Sequence, residues 1–131
     1  MLDDTVREFL KQPLIARLSV IDPQGYPHTV PLWFDVDGDD ILIISDRNTR
    51  KIDYIQLNPK GSVEIGGEPD VPGYMFKGEC ILEEDPDYRW LAQLTYRYEP
   101  YEQAVKDIDE WRETLDMMII RFKIHKVLKV A

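Results

Sequence analysis

Three basic side chains stand together where a short helix is expected to begin. Arg47, Arg50 and Lys51 follow an apolar run, and Asn48 or Thr49 can serve as the N-cap of the helix. Cations are disfavoured at the positive end of a helix. Backbone N–H groups at a helix start, placed beside Arg and Lys, bind phosphate. The segment therefore predicts a site for the phosphate of a bound cofactor, with a solvated basic turn as the alternative.

A second stretch with chemical meaning surrounds Pro31. This proline interrupts an alternating strand pattern, and Trp33 lies two residues further on the same face. A proline cannot donate a hydrogen bond to a neighbouring strand. Pro31 and Trp33 are interpreted either as a wall of a cofactor pocket or as an edge strand that proline protects against aggregation.

The remaining side chains form no recognisable catalytic or metal-binding motif. There is no P-loop, no GxSxG elbow and no HExxH motif. His28 and His125 are isolated, so no metal site is predicted, and Cys80 lies in an alternating apolar run that is typical of a buried core residue. If the protein is an enzyme, a cofactor is expected to carry the difficult step.

Composition limits the possible partners and the compartment. The chain has 131 residues and a formal net charge of −9, which fits one domain over residues 1–131 and argues against a general grip on nucleic acid. A single cysteine fits a reducing cytoplasm. The acidic start of the chain does not resemble a signal peptide, and no apolar run is long enough to span a membrane.

The elements that would position these residues are mostly strands. Alternation and turn signals predict six strands over residues 14–21, 27–36, 41–45, 61–65, 74–83 and 117–130. A short helix precedes them at residues 3–11. An acidic, aromatic insertion of two helices occupies about residues 85–114, with Asp85 as an N-cap and Pro86 at the first helical position. The pattern predicts a mainly β protein, an antiparallel barrel or sandwich with helical additions.

Two runs carry a resemblance to a known family. D-P-Q-G-Y-P-H-T-V-P-L-W-F is followed, after an apolar strand, by T-R-K and then, after six intervening residues, by N-P. In this order and spacing the chain, over roughly residues 5–130, resembles the pyridoxamine 5′-phosphate oxidase-like family. Its fold is the FMN-binding split β-barrel, here expected as six antiparallel strands.

The resemblance implies a homodimer with cofactor sites at the subunit interface and FMN, or the deazaflavin F420, as the cofactor. It implies a phosphate site at Thr49, Arg50 and Lys51. The ring and ribityl chain would lie along Val30, Pro31, Leu32, Trp33, Ile44 and Ser45. Asn58 matches the family's N-P motif, and Lys77 and Trp111 are candidates for residues that the partner subunit adds.

The resemblance also implies a function, with alternatives. The first is an FMN- or F420-dependent oxidoreductase that transfers hydride to or from a small organic substrate. The chain lacks the C-terminal Arg and His segment of the true pyridoxamine phosphate oxidases, so a different substrate is expected, and the insertion could narrow the pocket. A non-catalytic flavin- or haem-binding carrier, sensor or storage module is the second possibility. An interaction domain whose barrel has lost its site is the third.

Overall fold

Four helices and seven strands form residues 2–130, the part of the chain that a computed structural model describes. The elements in chain order are α1 Asp4–Phe9, β1 Ala16–Ile21, β2 Pro27–Leu32, β3 Phe34–Asp37, β4 Asp40–Asp46, α2 Arg50–Leu57, β5 Lys60–Ile65, β6 Gly73–Glu84, α3 Arg89–Tyr98, α4 Tyr101–Thr114 and β7 Met117–Val130. One 3₁₀ turn, Pro86–Tyr88, precedes α3.

The strands make one antiparallel sheet in the order β2-β1-β5-β6-β7-β4-β3, and the sheet is not closed. The predicted mainly β, antiparallel split barrel is confirmed. The count of six strands was wrong, because the segment 27–36 forms two strands. Leu32 pairs with Ala16 in β1 at one edge, whereas Phe34 pairs with Ile43 in β4 at the other edge. Only Trp33 joins them, so the two edges meet at this residue and diverge beyond it.

Two apolar layers lie on opposite faces of β4. Ile41 and Ile43 face the large core inside the curled sheet, which α1 and α2 also cover. Leu42 and Ile44 face outward and pack in a smaller cluster with residues of α3. This alternation, which follows from the two-residue period of a strand, places the helical insertion on the outer face of β4 and β7.

A β-bulge bends the long hairpin of β6 and β7. The register shifts between Lys77 and Gly78, so that Lys77 pairs with Lys126 while Gly78 pairs with Ile124. A Cβ atom at Gly78 would lie 1.9 Å from the carbonyl oxygen of Lys123, so only glycine fits. The extra residue, His125, is left out of the pairing, and the bend helps the sheet to curl.

The entry to the insertion differs from the expectation. A helix starting directly at Pro86 was wrong, because Asp87 (φ 59°) and Tyr88 (φ 55°) adopt left-handed conformations and α3 begins only at Arg89. Asp85 still caps the helix, but the N–H groups that it caps lie further along the chain than in an ordinary N-cap. Its carboxylate oxygens accept hydrogen bonds from the backbone N–H groups of Trp90 and Leu91, each at 2.9 Å.

The thiol of Cys80 is expected to be unreactive in the folded protein. The side chain is buried in the barrel core, and burial raises the pKa of the thiol to about 12. Because the thiolate is the nucleophile, native protein at pH 8 should react with a thiol reagent only at the rate of unfolding, whereas denatured protein should react at once. Rapid labelling of native protein, followed by absorbance of the released chromophore, would contradict the buried placement.

Candidate functional site

An apolar cavity opens where the chain crosses from β2 to β3. It has a volume of about 280 Å³, and Pro31, Leu32, Trp33 and Ile44 line it. The structure thus brings together four of the six residues that the family resemblance places along the cofactor's ring and ribityl chain. The other lining residues come from the insertion and the start of β7: Leu91, Leu94, Thr95, Trp111, Leu115 and Met117.

Both interpretations of Pro31 agree with this position. β2 is an edge strand of the sheet, as the protective interpretation requires. Pro31 also lines the cavity, as the pocket interpretation requires. A proline on an edge strand removes no ladder hydrogen bond on its open side, so one residue can serve both roles.

Trp33 forms a fixed wall of the cavity. Its ring stacks on Tyr98 with a centroid distance of 4.9 Å and an interplanar angle of 2°, and the ring of Trp111 lies 6.3 Å away. The Tyr98 hydroxyl accepts a hydrogen bond from the Phe34 N–H (3.1 Å) and donates to the carbonyl oxygen of Leu14 (2.5 Å). Burial raises the pKa of this hydroxyl. These contacts hold the indole in one orientation at the junction of the two sheet edges.

The chemistry of the cavity lining suits a flat, uncharged group. No lining residue carries a charge. The hydroxyl of Thr95 donates to the carbonyl oxygen of Leu91 at 2.7 Å, within its own helix. Aromatic and aliphatic walls of this kind bind ring systems and exclude water.

The residues of the predicted anion site, Thr49, Arg50 and Lys51, lie together at the start of α2. Thr49 is the N-cap residue, but its side chain makes no capping hydrogen bond, which leaves the first N–H groups of the helix without a side-chain acceptor. Its hydroxyl instead donates to the carbonyl oxygen of Asp46 (3.1 Å) and lies 3.3 Å from the hydroxyl of Ser45. Lys51 donates to the Thr49 hydroxyl at 3.4 Å.

Of the two cations at the start of α2, Lys51 is the one that a bound anion would stabilise more. Its ammonium forms no ion pair with residues 2–130, and burial lowers its pKa. Arg50, next to it, is exposed and likewise makes no ion pair within the described chain. The carboxylate of Asp46 offsets part of the effect of burial on the pKa of Lys51 by attraction through space but forms no ion pair with Lys51 among the described residues. A half-buried ammonium in this position is stabilised further when a phosphate approaches.

Arg47 does not belong to this cluster. Its guanidinium bonds to Glu84 at 2.9 Å and 2.5 Å and to Asp116 at 3.0 Å. The sequence pattern grouped it with Arg50 and Lys51 because the three are neighbours in the chain. Its partners lie 37 and 69 residues away, so no local pattern could have separated it.

The cavity and the anion cluster meet at the end of β4 but lie on different faces of it. Ile44 lines the cavity, whereas Ser45 is buried on the face of the barrel interior and donates to the carbonyl oxygen of Asp46 at 3.0 Å. A ligand that uses both regions must therefore pass around this end of the strand.

Two other predicted residues, Val30 and Asn58, lie outside the apolar cavity, and a third, Trp111, lies in it. Val30 packs against the barrel core. Asn58 accepts a hydrogen bond from the Lys60 N–H (3.1 Å) and lines a second, more polar cavity that also contains Lys77 and His125. Trp111, a candidate for the partner's contribution, lines the apolar cavity of its own chain.

Sequence reasoning missed most of the wall that the insertion supplies. Leu91, Leu94 and Thr95 repeat at helical spacing in the sequence, but such a stripe indicates burial and does not identify the surface against which it packs. The family resemblance did indicate that the insertion as a whole could narrow the pocket, but it did not identify these residues. Leu115 and Met117, at the junction of α4 and β7, carried no signal of their own.

Two absences concern the described residues alone. Between positions 2 and 130, no three His, Cys, Asp or Glu side chains are grouped so as to hold a metal ion. In the same range, no helix has the length and apolar character needed to cross a lipid bilayer.

The open antiparallel sheet of this chain, curled around one core, places it in the class of split β-barrel proteins. The family profile described as pyridoxamine 5′-phosphate oxidase matches residues 2–131, and the chain belongs to that family. Among curated protein sequences, none is similar enough to count as a relative.

Solved structures with the same fold include three that align over nearly the whole chain. An F420 reductase has 20% identity and a TM-score of 0.76, with 97% of this chain and 98% of that chain covered. A conserved hypothetical protein from Mycobacterium tuberculosis has 20% identity, a TM-score of 0.78 and coverages of 99% and 84%. General Stress Protein 26 from Bacillus anthracis has 18% identity, a TM-score of 0.70 and coverages of 94% and 88%. At these identities the likeness shows the fold alone.

Proposed function

We propose that the protein binds a flavin-type cofactor, FMN or F420, and acts as an oxidoreductase on a small organic substrate. The observation that carries the proposal is the cavity at the barrel split, where the predicted ring residues Pro31, Leu32, Trp33 and Ile44 meet in a lining without charge. Membership of the family and the fold shared with an F420 reductase point to the same type of cofactor.

The size of the cavity fits the ring system of such a cofactor but not the whole molecule. Its volume of about 280 Å³ lies just below the usual range of ligand pockets, roughly 300–1,000 Å³. The polar chain and phosphate must then lie outside, toward the end of β4. Thr49, Arg50 and Lys51 at the start of α2 would hold the phosphate there.

When bound, the cofactor supplies the hydride chemistry, and the protein supplies position and environment. Trp33 and Trp111 form rigid walls that orient a flat ring and keep water away from its faces. Lys51 neutralises the phosphate and fixes the polar end. With no charged side chain in the cavity, the substrate that reaches the ring is expected to be uncharged at its reacting part.

Neither histidine favours the haem alternative. His28 packs edge-on against Tyr54 with a centroid distance of 5.3 Å, and His125 lies 3.6 Å from Glu79 in the second cavity. Neither lines the apolar cavity, where a flat macrocycle would need an axial ligand.

Cofactor binding is tested by the absorbance spectrum and mass of any molecule that co-purifies, and by titration with FMN and F420. All three tryptophans lie in the cavity or in α3, so quenching of their emission reports binding directly. A flavin or deazaflavin spectrum with micromolar affinity is expected. Failure to bind either cofactor at micromolar concentrations would overturn the proposal, and a Soret band would replace it with the haem alternative.

Turnover is a separate measurement. The oxidoreductase part predicts that bound cofactor is reduced by NADH or NADPH, or that reduced F420 is consumed, in the presence of an electron acceptor. A cofactor that binds tightly and is never turned over would leave a carrier, sensor or storage protein.

The oligomeric state belongs to the same proposal. Members of this family are commonly dimeric, and we expect a homodimer with the two cofactor sites near the interface. Lys77, on the second cavity of β5 and β6, is then a candidate for the residue that the partner adds. Light scattering that shows a monomer with full cofactor affinity would contradict the interface site.

A further inference from the structure

Arg47 joins three segments that are distant in the sequence. It lies in the loop between β4 and α2. One of its carboxylate partners, Glu84, is the last residue of β6, and the other, Asp116, directly precedes β7. These two acids flank the helical insertion, residues 85–115, on its two sides. A single guanidinium therefore holds both ends of the insertion against the loop that begins the anion cluster.

Backbone contacts strengthen this junction. The N–H of Arg47 donates to the carbonyl oxygen of Asp116 at 2.8 Å, in addition to the side-chain bonds. On the other side of Arg47, the Asp46 carboxylate accepts from the N–H of Asn48 at 2.9 Å. The loop that presents Thr49 and Lys51 is thus fixed to the stems of the insertion by a fork that a guanidinium can form and an ammonium cannot.

The same insertion builds one side of the apolar cavity through residues such as Leu91, Leu94 and Trp111. Movement of its stems would move that wall, and movement of the loop would move Lys51. Arg47 is the contact common to both.

We propose that Arg47 is a positioning residue that couples the apolar cavity to the anion cluster without touching the ligand. The proposal rests on the proposed function and deepens it. It makes Arg47 part of the ring site as much as of the phosphate site, whereas its place in the sequence predicts a direct phosphate ligand.

Replacing Glu84 distinguishes a positioning role of Arg47 from direct phosphate binding, because the two roles predict opposite changes in FMN affinity. If Arg47 binds phosphate directly, Glu84 competes with the phosphate, and Glu84→Gln should strengthen FMN binding. If Arg47 is a clamp, Glu84→Gln breaks the clamp and should weaken FMN binding, even though the substitution makes the protein less negative. Riboflavin, which lacks the phosphate, gives a second separation, because a clamp affects both molecules and a phosphate ligand affects FMN alone.

The experiment titrates FMN and riboflavin into wild type, Arg47→Gln, Arg47→Lys, Glu84→Gln and the double variant R47Q/E84Q, with tryptophan quenching as the signal. We expect Arg47→Gln and Glu84→Gln to weaken both ligands by roughly five- to tenfold, the order of typical coupling between sites. The double variant should be no weaker than Arg47→Gln, since the pair acts as one unit. Arg47→Lys should be intermediate, because one ammonium cannot hold both carboxylates.

The matched control is Arg7→Gln. Arg7 bonds to Asp39 and to the carbonyl oxygen of Gly38 at the opposite end of β4, and its side chain is 40% exposed against 35% for Arg47. It carries the same loss of charge and should leave both affinities unchanged. Stronger FMN binding by Glu84→Gln, or a loss in Arg47→Gln confined to FMN, would overturn the clamp. A response of Arg47→Gln no larger than that of Arg7→Gln would overturn it as well.

A measurement without ligand keeps this proposal distinct from the function. If wild type binds neither FMN nor F420, the proposed function fails, and the clamp is then decided in the free protein. Arg47→Gln should increase acrylamide quenching of the tryptophans and amide exchange in residues 46–49 and 85–90. Glu84→Gln should increase both in the same direction but less, because the bonds from Arg47 to Asp116 remain. Unchanged exchange and quenching in both variants would refute the clamp whatever the ligand.

Discussion

Replacing Lys51 by methionine is expected to weaken FMN binding by about 10- to 100-fold and to leave riboflavin binding unchanged. A hydrogen bond between a charged donor and a phosphate contributes roughly 1.5–3 kcal/mol, and each 1.4 kcal/mol is about tenfold in affinity. Lys51 is half-buried, and burial lowers its pKa, so the free protein bears the cost of its charge at neutral pH. A bound phosphate removes that cost, and methionine retains the packing of the aliphatic stem.

Arg50→Ala should have a smaller effect on FMN, about fivefold or less, because the side chain is exposed and exposed charges contribute little. Lys129→Met provides a control with the same change of residue at an exposed position near the end of β7. Equal FMN affinity in wild type and Lys51→Met would show that the phosphate binds elsewhere. Equal losses for FMN and riboflavin would show that Lys51 supports the fold of the site rather than the phosphate.

The pH dependence of FMN binding gives a further check on Lys51. A lowered pKa means that the ammonium of the folded free protein loses its proton below the ordinary value for lysine, 10.5. FMN affinity should therefore decline as the pH rises toward that value, and the decline should be absent in Lys51→Met. In the free protein, the contribution of Lys51 to the free energy of unfolding should instead rise with pH. The reason is that a lysine whose pKa is lower in the folded than in the unfolded state favours folding once its proton is lost.

Local chemistry in the sequence predicted those features of the candidate site that depend on neighbouring residues. Thr49 was one of two candidate caps, and α2 begins directly after it. Pro31 and Trp33 drew attention because a proline within a strand is unusual, and both line the cavity. These signals act over a few residues, which is the range in which turn, cap and strand rules hold.

The split of the barrel could not be predicted from the same patterns. The two-residue alternation continues unbroken from β2 through Trp33 into β3, since one connecting residue preserves it. The change of edge is visible only in the partners, Ala16 on one side and Ile43 on the other. Edge assignment depends on contacts between distant segments, and the same holds for the partners of Arg47.

Asp85 shows how a local rule can be right in kind and wrong in position. An N-cap aspartate normally accepts hydrogen bonds from residues two or three positions later. Here the left-handed residues Asp87 and Tyr88 insert a turn, and the carboxylate reaches the N–H groups of residues five and six positions later. Asp85 is 8% exposed, so these N–H groups have little access to water as a substitute partner.

Asp85→Ala is therefore expected to lower the free energy of unfolding by about 2–4 kcal/mol. Two buried N–H groups, those of Trp90 and Leu91, lose their acceptor, at roughly 1–3 kcal/mol each, before any relaxation of the helix start. The left-handed residues, which cost on the order of 1–3 kcal/mol each, then lose the contact that holds their turn in place. Urea unfolding measures the change, and tryptophan emission should move to longer wavelength as Trp90 gains contact with water.

Asp3→Ala is the matched control, because Asp3 caps α1 in the ordinary way by accepting from the N–H of Val6 at 2.9 Å. An ordinary cap contributes about 1 kcal/mol. If Asp85→Ala costs no more than Asp3→Ala and leaves the emission of Trp90 unchanged, the long-distance cap does not hold the insertion. If the larger loss is found together with weaker riboflavin binding, the start of α3 sets the shape of the cavity, because Leu91 both donates to Asp85 and lines the apolar wall.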